Sequence, residues 1–352
     1  MSAYLVVMAG GSGTRFWPKS TSKRPKQLLG FGKNPTSTLL TDTLTRFDGI
    51  CAPENRCIVT TKLLEKAVTD QLNLIRTPQT VVLAEPAGRN TAPCVYWAAR
   101  EIYKKDPRGV MMVMPSDHYI AQPEQSRKTV AKAVAWAQTH DDLVTLGVKP
   151  NRPETGFGYL KMGETLGDGV LKLEAFVEKP NLEKAKEFVS SGKYYWNGGM
   201  FLWRAEVILK AFDQYMPEMK EIWDRENGNV DAAYPKLTAT SIDYGIMEKA
   251  KNVVTFPIDC GWDDLGSWDS LESVAKVLDA VKPEGTVTGG DVVAVDAKGN
   301  IIDAAGKKVA LLGVDNLIIV VQGDTILVAD KNRSQDIRQV VELVKKNWPE
   351  LA

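Results

Sequence analysis

The sequence predicts an α/β protein: a doubly wound, mostly parallel sheet over about residues 1–278, then a small β module closed by a helix over 285–352. Three observations carry this expectation. Short apolar, β-rich runs alternate with helix-periodic stretches through the first half. A glycine-rich loop follows the first of those runs. Near residue 285 the composition shifts to short strands separated by Gly, Asp and Asn. Apolar strands joined by helices are what a parallel sheet covered on both faces requires.

The elements follow in order. Strands are expected at Tyr4–Ala9, Arg56–Thr60, Thr80–Ala84, Val110–Met114 and Leu143–Val148. Helices are expected between them at Thr38–Phe47, Lys62–Ile75, Thr91–Lys104 and Glu124–Gln138, where apolar residues recur at helical spacing. The alternation breaks after residue 150. Leu171–Val177 and Met200–Trp203 read as strands, and Leu182–Ser190, Ala205–Gln214, Pro217–Glu226 and Ser267–Val277 as helices. Residues 279–285 read as a linker. Beyond it, five short strands are expected at Asp291–Asp296, Asn300–Asp303, Lys308–Gly313, Leu317–Val321 and Thr325–Ala329. A last helix is expected over Ser334–Asn347, with Ser334 as N-cap and Ile337, Val340, Val341 and Val344 on one face.

Composition excludes several classes. The 352 residues carry 44 basic and 44 acidic side chains, so the net charge is zero. That gives no support for a nucleic-acid or anionic-membrane surface. The four cysteines form no CxxC pair, and reduced thiols in a cytoplasmic protein are expected. Two histidines exclude a multi-histidine zinc site. The apolar run at the N-terminus is too short for a leader or a span, so neither is expected.

The strongest chemical signal is Gly10-Gly11-Ser12-Gly13-Thr14-Arg15, directly after the first expected strand. A glycine run lets backbone amides approach an anion, and open α/β sheets bind ligands outside their carboxyl edge. Three common motifs fail. A dinucleotide fingerprint would need glycine at Phe16, a Walker A would need Gly-Lys at Arg15 and Phe16, and a nucleophile elbow would need glycine at Thr14. Charge adds to the signal. Residues 1–41 hold Arg15, Lys19, Lys23, Arg24, Lys26 and Lys33 and no carboxylate, where average composition would place about five acids. Six cations around a glycine loop in a neutral chain point to a polyanion such as a triphosphate.

Other candidates lie at expected strand ends. Glu85-Pro86-Ala87-Gly88-Arg89-Asn90-Thr91 opens a helix, and Glu85 could accept the N–H donors of guanine. Asn90 or Thr91 could equally cap that helix. Asp117 ends the fourth strand and could bind magnesium together with phosphate oxygens, while His118 reads as structural. Glu178-Lys179 could serve sugar hydroxyls and a sugar phosphate, or be a surface ion pair. In Trp262-Asp263-Asp264 two acids are adjacent, and on an extended segment their side chains point oppositely.

The loop together with Arg24-Pro25-Lys26-Gln27 resembles the signature of sugar-1-phosphate nucleotidyltransferases, and more narrowly of mannose-1-phosphate guanylyltransferases. The resemblance covers essentially the whole chain. It implies the Rossmann-like nucleotidyltransferase fold with a C-terminal left-handed β-helix. It implies that Gly10, Gly11, Ser12, Gly13 and Thr14 cradle the nucleotide and that Arg15 and Lys26 grip the triphosphate. Glu85, Gly88, Asn90 and Thr91 match the guanine stretch. Asp117 and Asp264 match the Mg²⁺ ligands and, with Arg15 and Lys26, the catalytic set. Gly158, Tyr159, Glu178, Lys179, Asn197 and Gly198 match the sugar-phosphate site, and Asp243 has no clear role.

The implied reaction converts GTP and mannose 1-phosphate to GDP-mannose and diphosphate. No isomerase domain is expected after Ala352, and a homodimer is expected from the exposed edges of the β module. The alternatives are a nucleotidyltransferase for another sugar or base and a non-catalytic nucleotide-binding subunit.

Overall fold

The computed structural model describes residues 2–11, 13–31 and 36–352. Ser12 and Lys33 lie outside the described residues.

A nine-stranded sheet forms the centre. Its strands are β1 (Ala3–Met8), β2 (Arg56–Thr61), β3 (Val81–Glu85), β4 (Val110–Pro115), β6 (Leu143–Val148), β7 (Tyr159–Gly167), β8 (Val170–Val177), β9 (Tyr194–Arg204) and β10 (Val253–Ile258). A separate two-stranded ladder pairs β5 (Tyr119–Ile120) with β11 (Trp262–Asp263). The large sheet runs β3-β2-β1-β4-β9-β6-β10-β8-β7. The strands β3, β2, β1 and β4 are mutually parallel, as are β6 and β10, while β9 and β8 run against their neighbours.

This order places ligand-binding loops along one edge. The chain leaves β1 toward β2 and β3, then crosses back to set β4 on the other side of β1. Such a reversal opens a crevice at the carboxyl ends of the strands. An antiparallel strand brings its beginning to the edge where its neighbours end. Thus Asn197 and Trp196 at the start of β9 pair with Gly147 and Val148 at the end of β6.

The helices that cover the sheet are α1 (Leu39–Thr45), α2 (Glu65–Leu74), α3 (Thr91–Lys105), α4 (Pro123–Thr139), α5 (Leu182–Ser191), α6 (Ala205–Tyr215), α7 (Pro217–Arg225) and α8 (Val230–Ala233). One core lies between the sheet and α1, α2 and α4, and a second between the sheet and α3, α6 and α7. The first-half strands and helices agree with the expected positions to within a few residues.

The later chain brings differences. The strands β7 and β10 have no counterpart among the expected ones. Ser267–Val277 is a 3-10 turn at Trp268–Ser270 followed by one short turn of helix, α9 (Leu271–Val274). The expected linker 279–285 contains β12 (Val281–Lys282), which pairs with β13 (Gly285–Val295). The next two expected strands are one, β14 (Asn300–Leu312), bent at Ala305 and Gly306, where φ is 45° and 80°. With β15 (Leu317–Gln322) and β16 (Thr325–Asp330) these form a five-stranded sheet. In it β13, β14 and β15 are parallel and β16 antiparallel.

Ser334 is not the cap of the last helix. It is buried in a 3-10 stretch over Lys331–Asp336, and α10 (Ile337–Asn347) starts after Asp336. Asp330 accepts the Asn332 N–H at the start of that 3-10 stretch instead.

A third core joins the two ends of the chain. Phe16, Trp17, Leu29 and Leu39 from the signature region pack with Leu265, Trp268, Leu271 and Val274. Against them lie Ile301, Ile318, Val320, Leu327, Ile337, Val341 and Val344 of the C-terminal module. Phe16 and the Trp268 ring lie 5.0 Å apart, and Trp268 Nε1 donates to the Trp17 carbonyl at 3.1 Å. Burial of each large apolar side chain contributes about 1.5–3 kcal/mol. The C-terminal module therefore shares a core with the loop that follows the glycine run.

Candidate active site

A cleft of about 490 Å³ opens at the carboxyl edge of the sheet. Its walls follow the strand order. Gly10 and Gly11 come from the end of β1, Glu85 from β3, and Gly88, Asn90 and Thr91 from the start of α3. Asp117 follows β4, and Asn197 and Gly198 lie in β9. Glu178 follows β8, Gly158 precedes β7, and Asp264 follows β11.

The loop geometry demands glycine. Gly13 has φ of 52°, and a Cβ there would sit 2.4 Å from Lys26 Cβ. A Cβ on Gly10 would lie 3.0 Å from Glu85 Oε2. The loop folds down on Lys26, and the first strand approaches the Glu85 carboxylate with no side chain between them.

Glu85 is buried, and its carboxylate accepts a hydrogen bond from the Tyr234 hydroxyl. Burial pushes the Glu85 carboxyl up to about 7, against the lowering effect of that bond. Asn90 and Thr91 line the cleft and also shape it. Asn90, at φ 66°, accepts the Thr91 N–H through Oδ1, and the Thr91 hydroxyl accepts the Ile242 N–H at 2.9 Å.

The carboxylates at the centre are brought together by the β5–β11 ladder, which pairs Trp262 with Ile120 and Asp263 with Tyr119. Asp117 lies just before it and Asp264 just after. The strand's alternation divides the two neighbouring acids. Asp263 is buried and accepts from the Leu265 N–H at 2.8 Å and the Ser273 hydroxyl at 2.6 Å. Asp264 faces the cleft.

Lys26 is buried beneath both acids. Its ammonium lies 2.7 Å from Asp117 Oδ2 and donates to the carbonyls of Asp264 at 2.5 Å and Leu265 at 3.2 Å. Burial would raise the half-buried Asp117 carboxyl, but Lys26 outweighs it and holds Asp117 below the usual aspartate range. Burial pushes Asp264 up to about 6, with Asp263 and Asp117 adding to the rise and Lys26 opposing it. One lysine thus serves two carboxylates, and a further cation beside them would be stabilised.

Among the described residues no group of three or more His, Cys, Asp or Glu side chains forms a metal cage. Two carboxylates open to a phosphate-sized space suit a hard cation that takes its remaining ligands from substrate and water.

The sugar side holds Gly158, Glu178, Asn197 and Gly198. A Cβ on Gly158 would come 2.5 Å from Glu178 Oε2. Asn197 Nδ2 donates to Asp243 Oδ1 at 2.7 Å, and Asp243 also lines the cleft. Burial raises the Asp243 carboxyl, and Asn197 lowers it.

Several expected site residues lie elsewhere. Tyr159 is fully buried in the core, with its hydroxyl donating to the Glu154 carbonyl at 2.9 Å, so its side chain is structural and does not contact the cleft. Lys179 stands outside the cleft wall, exposed and paired with Glu178. Thr14 and Arg15 form a 3-10 turn behind the loop. Arg15 Nη1 donates to Gln335 Oε1 of the C-terminal module at 3.0 Å. Burial and Arg338 lower the Arg15 guanidinium, while Asp264 and Asp117 oppose them.

The sequence reading missed wall residues Arg89, Phe157, Phe201 and Trp262. Trp262 meets Phe157 edge-on at 5.3 Å and donates from Nε1 to His118 Nδ1 at 3.0 Å. Burial lowers His118 to about 4, in keeping with a neutral, accepting ring. Adjacency of Phe157 and Trp262 to the glycine and aspartate motifs was the available signal.

A glycine-rich loop, two carboxylates and a buried lysine at the switch point of such a sheet define a nucleotidyl transferase. The nucleotidyl transferase family model matches residues 4–280, and a model described as a MannoseP isomerase/GMP-like beta-helix domain matches residues 290–344. A mannose-1-phosphate guanylyltransferase of Escherichia coli is 36% identical over 358 residues, covering 97% of this chain and 73% of the relative. One of Salmonella typhimurium is 37% identical over 360 residues, with the same coverage of both chains. A solved Thermus thermophilus structure, described as a mannose-1-phosphate geranyltransferase, superposes with a TM-score of 0.88 at 34% identity. It covers 98% of this chain and 100% of its own. The chain belongs to the mannose-1-phosphate guanylyltransferase family of nucleotidyl transferases, enzymes that as a family use a divalent metal.

Proposed function

We propose that the protein joins GTP and α-D-mannose 1-phosphate to give GDP-mannose and diphosphate, with Mg²⁺ as its metal. The observation that carries this reading is one continuous cleft. It runs from Glu85, past Asp117 and Asp264, to Glu178 and Asn197, with Lys26 buried against Asp117, in a chain whose relatives are named for this reaction.

Glu85 accepts N–H donors of the base, and the amides of Gly10 and Gly11 face the phosphates. Glu178 and Asn197 take sugar hydroxyls, with Asp243 holding the Asn197 amide. Lys179 has to leave Glu178 to reach a sugar phosphate. An oxygen of the sugar phosphate attacks the α-phosphorus in line, and the bond to the β-phosphate breaks to release diphosphate. That oxygen is already ionised near neutral pH, so no side chain has to take a proton. Catalysis rests on holding the two substrates in line and offsetting their charge. Asp117 and Asp264 would hold Mg²⁺, which when bound supplies charge neutralisation at the phosphate oxygens. Lys26 keeps Asp117 ionised for that task and orients the Asp264 segment through its backbone.

The reading further assigns a catalytic domain to 1–278 and the β-helix module to 285–352, supported by the two family matches. Exposed Val293, Val295, Leu312, Ile326 and Val328 on the module support a homodimer. The buried, unpaired thiols of Cys51, Cys57, Cys94 and Cys260 support a cytoplasmic protein. No helix among the described residues is long and apolar enough to cross a membrane.

The direct test is diphosphate release from GTP and mannose 1-phosphate with Mg²⁺. Parallel reactions substitute ATP, UTP, dTTP or glucose 1-phosphate, and one contains EDTA. Release with another pair overturns the base or sugar assignment. No release from folded protein that binds GTP overturns the reaction itself.

A further inference from the structure

The loop after the glycines is held by the C-terminal module at successive points. Trp17 Nε1 donates to the Leu351 carbonyl at 3.0 Å, and Lys19 meets the buried Asp303 carboxylate at 2.5 Å. The Ser22 hydroxyl donates to the Ala352 oxygen at 2.9 Å. Arg15, whose guanidinium feels the charges of Asp264 and Asp117, is held by Gln335.

Gln335 does more than accept one bond. Its Nε2 donates to Ser267 Oγ at 2.8 Å, in the segment that carries Asp264. The Ser267 hydroxyl in turn donates to Asp269. The direction of the amide is fixed by its partners. Arginine can only donate, so the carbonyl must face Arg15. Ser267 spends its proton on Asp269, so it must accept from the amide nitrogen. One neutral amide thus ties the arginine of the phosphate loop to the segment bearing one metal carboxylate. Arg15 and Asp264 converge on Gly266, where a Cβ would lie 3.2 Å from Asp264 Oδ2 and 3.7 Å from Arg15 Nη1. A free arginine this close to a carboxylate would pair with it, and Asp264 would lose its place as a metal ligand.

We infer that Gln335 is a positioning residue: its amide holds Arg15 off Asp264 and in register for the triphosphate. The inference rests on reading Arg15 as a triphosphate-binding cation. The module is then part of the nucleotide site, although no residue of it lines the cleft.

A double-mutant cycle tests this in the full chain, read as the Kd for GTP with Mg²⁺ by calorimetry and as kcat and KM. Gln335→Leu and Gln335→Glu are compared with Arg15→Ala and the Gln335→Leu/Arg15→Ala double variant. Gln335→Leu should weaken GTP about fivefold (about 1 kcal/mol) while the melting temperature stays close to that of the parent. In the Arg15→Ala background the same change should have almost no effect on GTP. Gln335→Glu keeps the acceptor for Arg15 and loses the donor to Ser267, so its loss should be intermediate. Gln335→Asn, too short to span both partners, should behave like Gln335→Leu.

Equal losses from Gln335→Leu in both backgrounds, or unchanged GTP binding, would overturn the inference. So would an Arg15→Ala variant that binds GTP and turns over normally. If the chain binds GTP but does not release diphosphate with mannose 1-phosphate, the cycle in Kd still decides the role of Gln335. In that case only the substrate reading falls.

Discussion

At Asp263 and Asp264 two chemically identical side chains have opposite surroundings. Asp263 spends both oxygens on Leu265 and Ser273, while Asp264 faces the cleft with its carboxyl raised to about 6. Asp264→Ala should therefore lower kcat at least about a hundredfold, or ~3 kcal/mol of barrier, with little change in melting temperature. Asp263→Ala should do the reverse. It leaves a buried N–H unpaired at a cost of about 1–3 kcal/mol, read as a lower melting temperature. A folded Asp264→Ala enzyme with normal turnover would remove that residue from the chemistry. Lys26→Ala should match Asp264→Ala in kcat.

Glu85 gives the residue-scale pH dependence. Its folded carboxyl sits near 7 against an ordinary 4.5, so the folded protein favours the protonated form. Its stabilising contribution is fully present below about 4.5 and is lost as pH rises through about 7. The proposed guanine recognition by Glu85 needs the ionised form, so GTP affinity should rise over the same window while stability falls. Glu85→Gln should flatten both profiles. Calorimetric titrations at pH 5.5, 7 and 8.5 would expose a mismatch, since an unchanged affinity across them removes Glu85 from base recognition.

At the scale of elements, the glycine loop is tied to one backbone geometry. Gly13→Ala requires a left-handed alanine and also drives its Cβ into Lys26. The backbone cost alone is about 1–2 kcal/mol, and the loop has to lift from Lys26 to escape the collision. The melting temperature should fall by several degrees, with Gly11→Ala close to the parent in stability, since a Cβ there meets nothing within 4 Å of the protein. Equal melting temperatures for the two variants would refute the geometric account.

Much of this scale was legible in the sequence. The apolar runs of β2, β4 and β6 and the middle of β1 are buried, so their composition announced them, and β3 at the sheet edge is apolar though partly exposed. The glycine and carboxylate motifs sit at strand ends because only that edge is open. What stayed illegible has physical causes. The half-exposed β7 reads Tyr-Leu-Lys-Met-Gly-Glu and lacks an apolar run, and β10 carries Pro257, which reads as a break. Ser334 looks like a cap, but its burial comes from tertiary packing. Tyr159 belongs to a sugar-loop motif, yet its ring turns into the core. The Arg15–Gln335 bond spans 320 positions, a separation at which local pattern carries no information.

On the scale of the whole molecule, the third core makes the two sequence segments one structure. Ile318 belongs to the module by sequence and to this shared core by contact, whereas Ile302 lies in a small core of the module's own. Truncation of either to alanine should destabilise by about 2–5 kcal/mol. Only Ile318→Ala should also raise the KM for GTP, because only that side chain supports Phe16 and Trp17 below the phosphate loop. Parallel KM shifts in both variants would count against the shared core as the route.

The same closure has a consequence for how the enzyme comes into being. The segment proposed to grip phosphate precedes its anchors at Asp303, Gln335, Leu351 and Ala352 by some three hundred codons, so they leave the ribosome well after it. Domains fold as units during synthesis, at about 5–20 residues per second. The sheet is complete once β10 ends at Ile258, so for roughly 5–20 s, the time to reach Ala352, a nascent chain holds a finished sheet beside an unfinished pocket. Ribosome-bound chains stalled before Asp303 should resist protease across β1 to β4 and still fail to retain GTP. The site matures after the sheet although its glycine signature precedes most of the sheet's strands, so a chain halted before Asp303 should not sequester nucleotide.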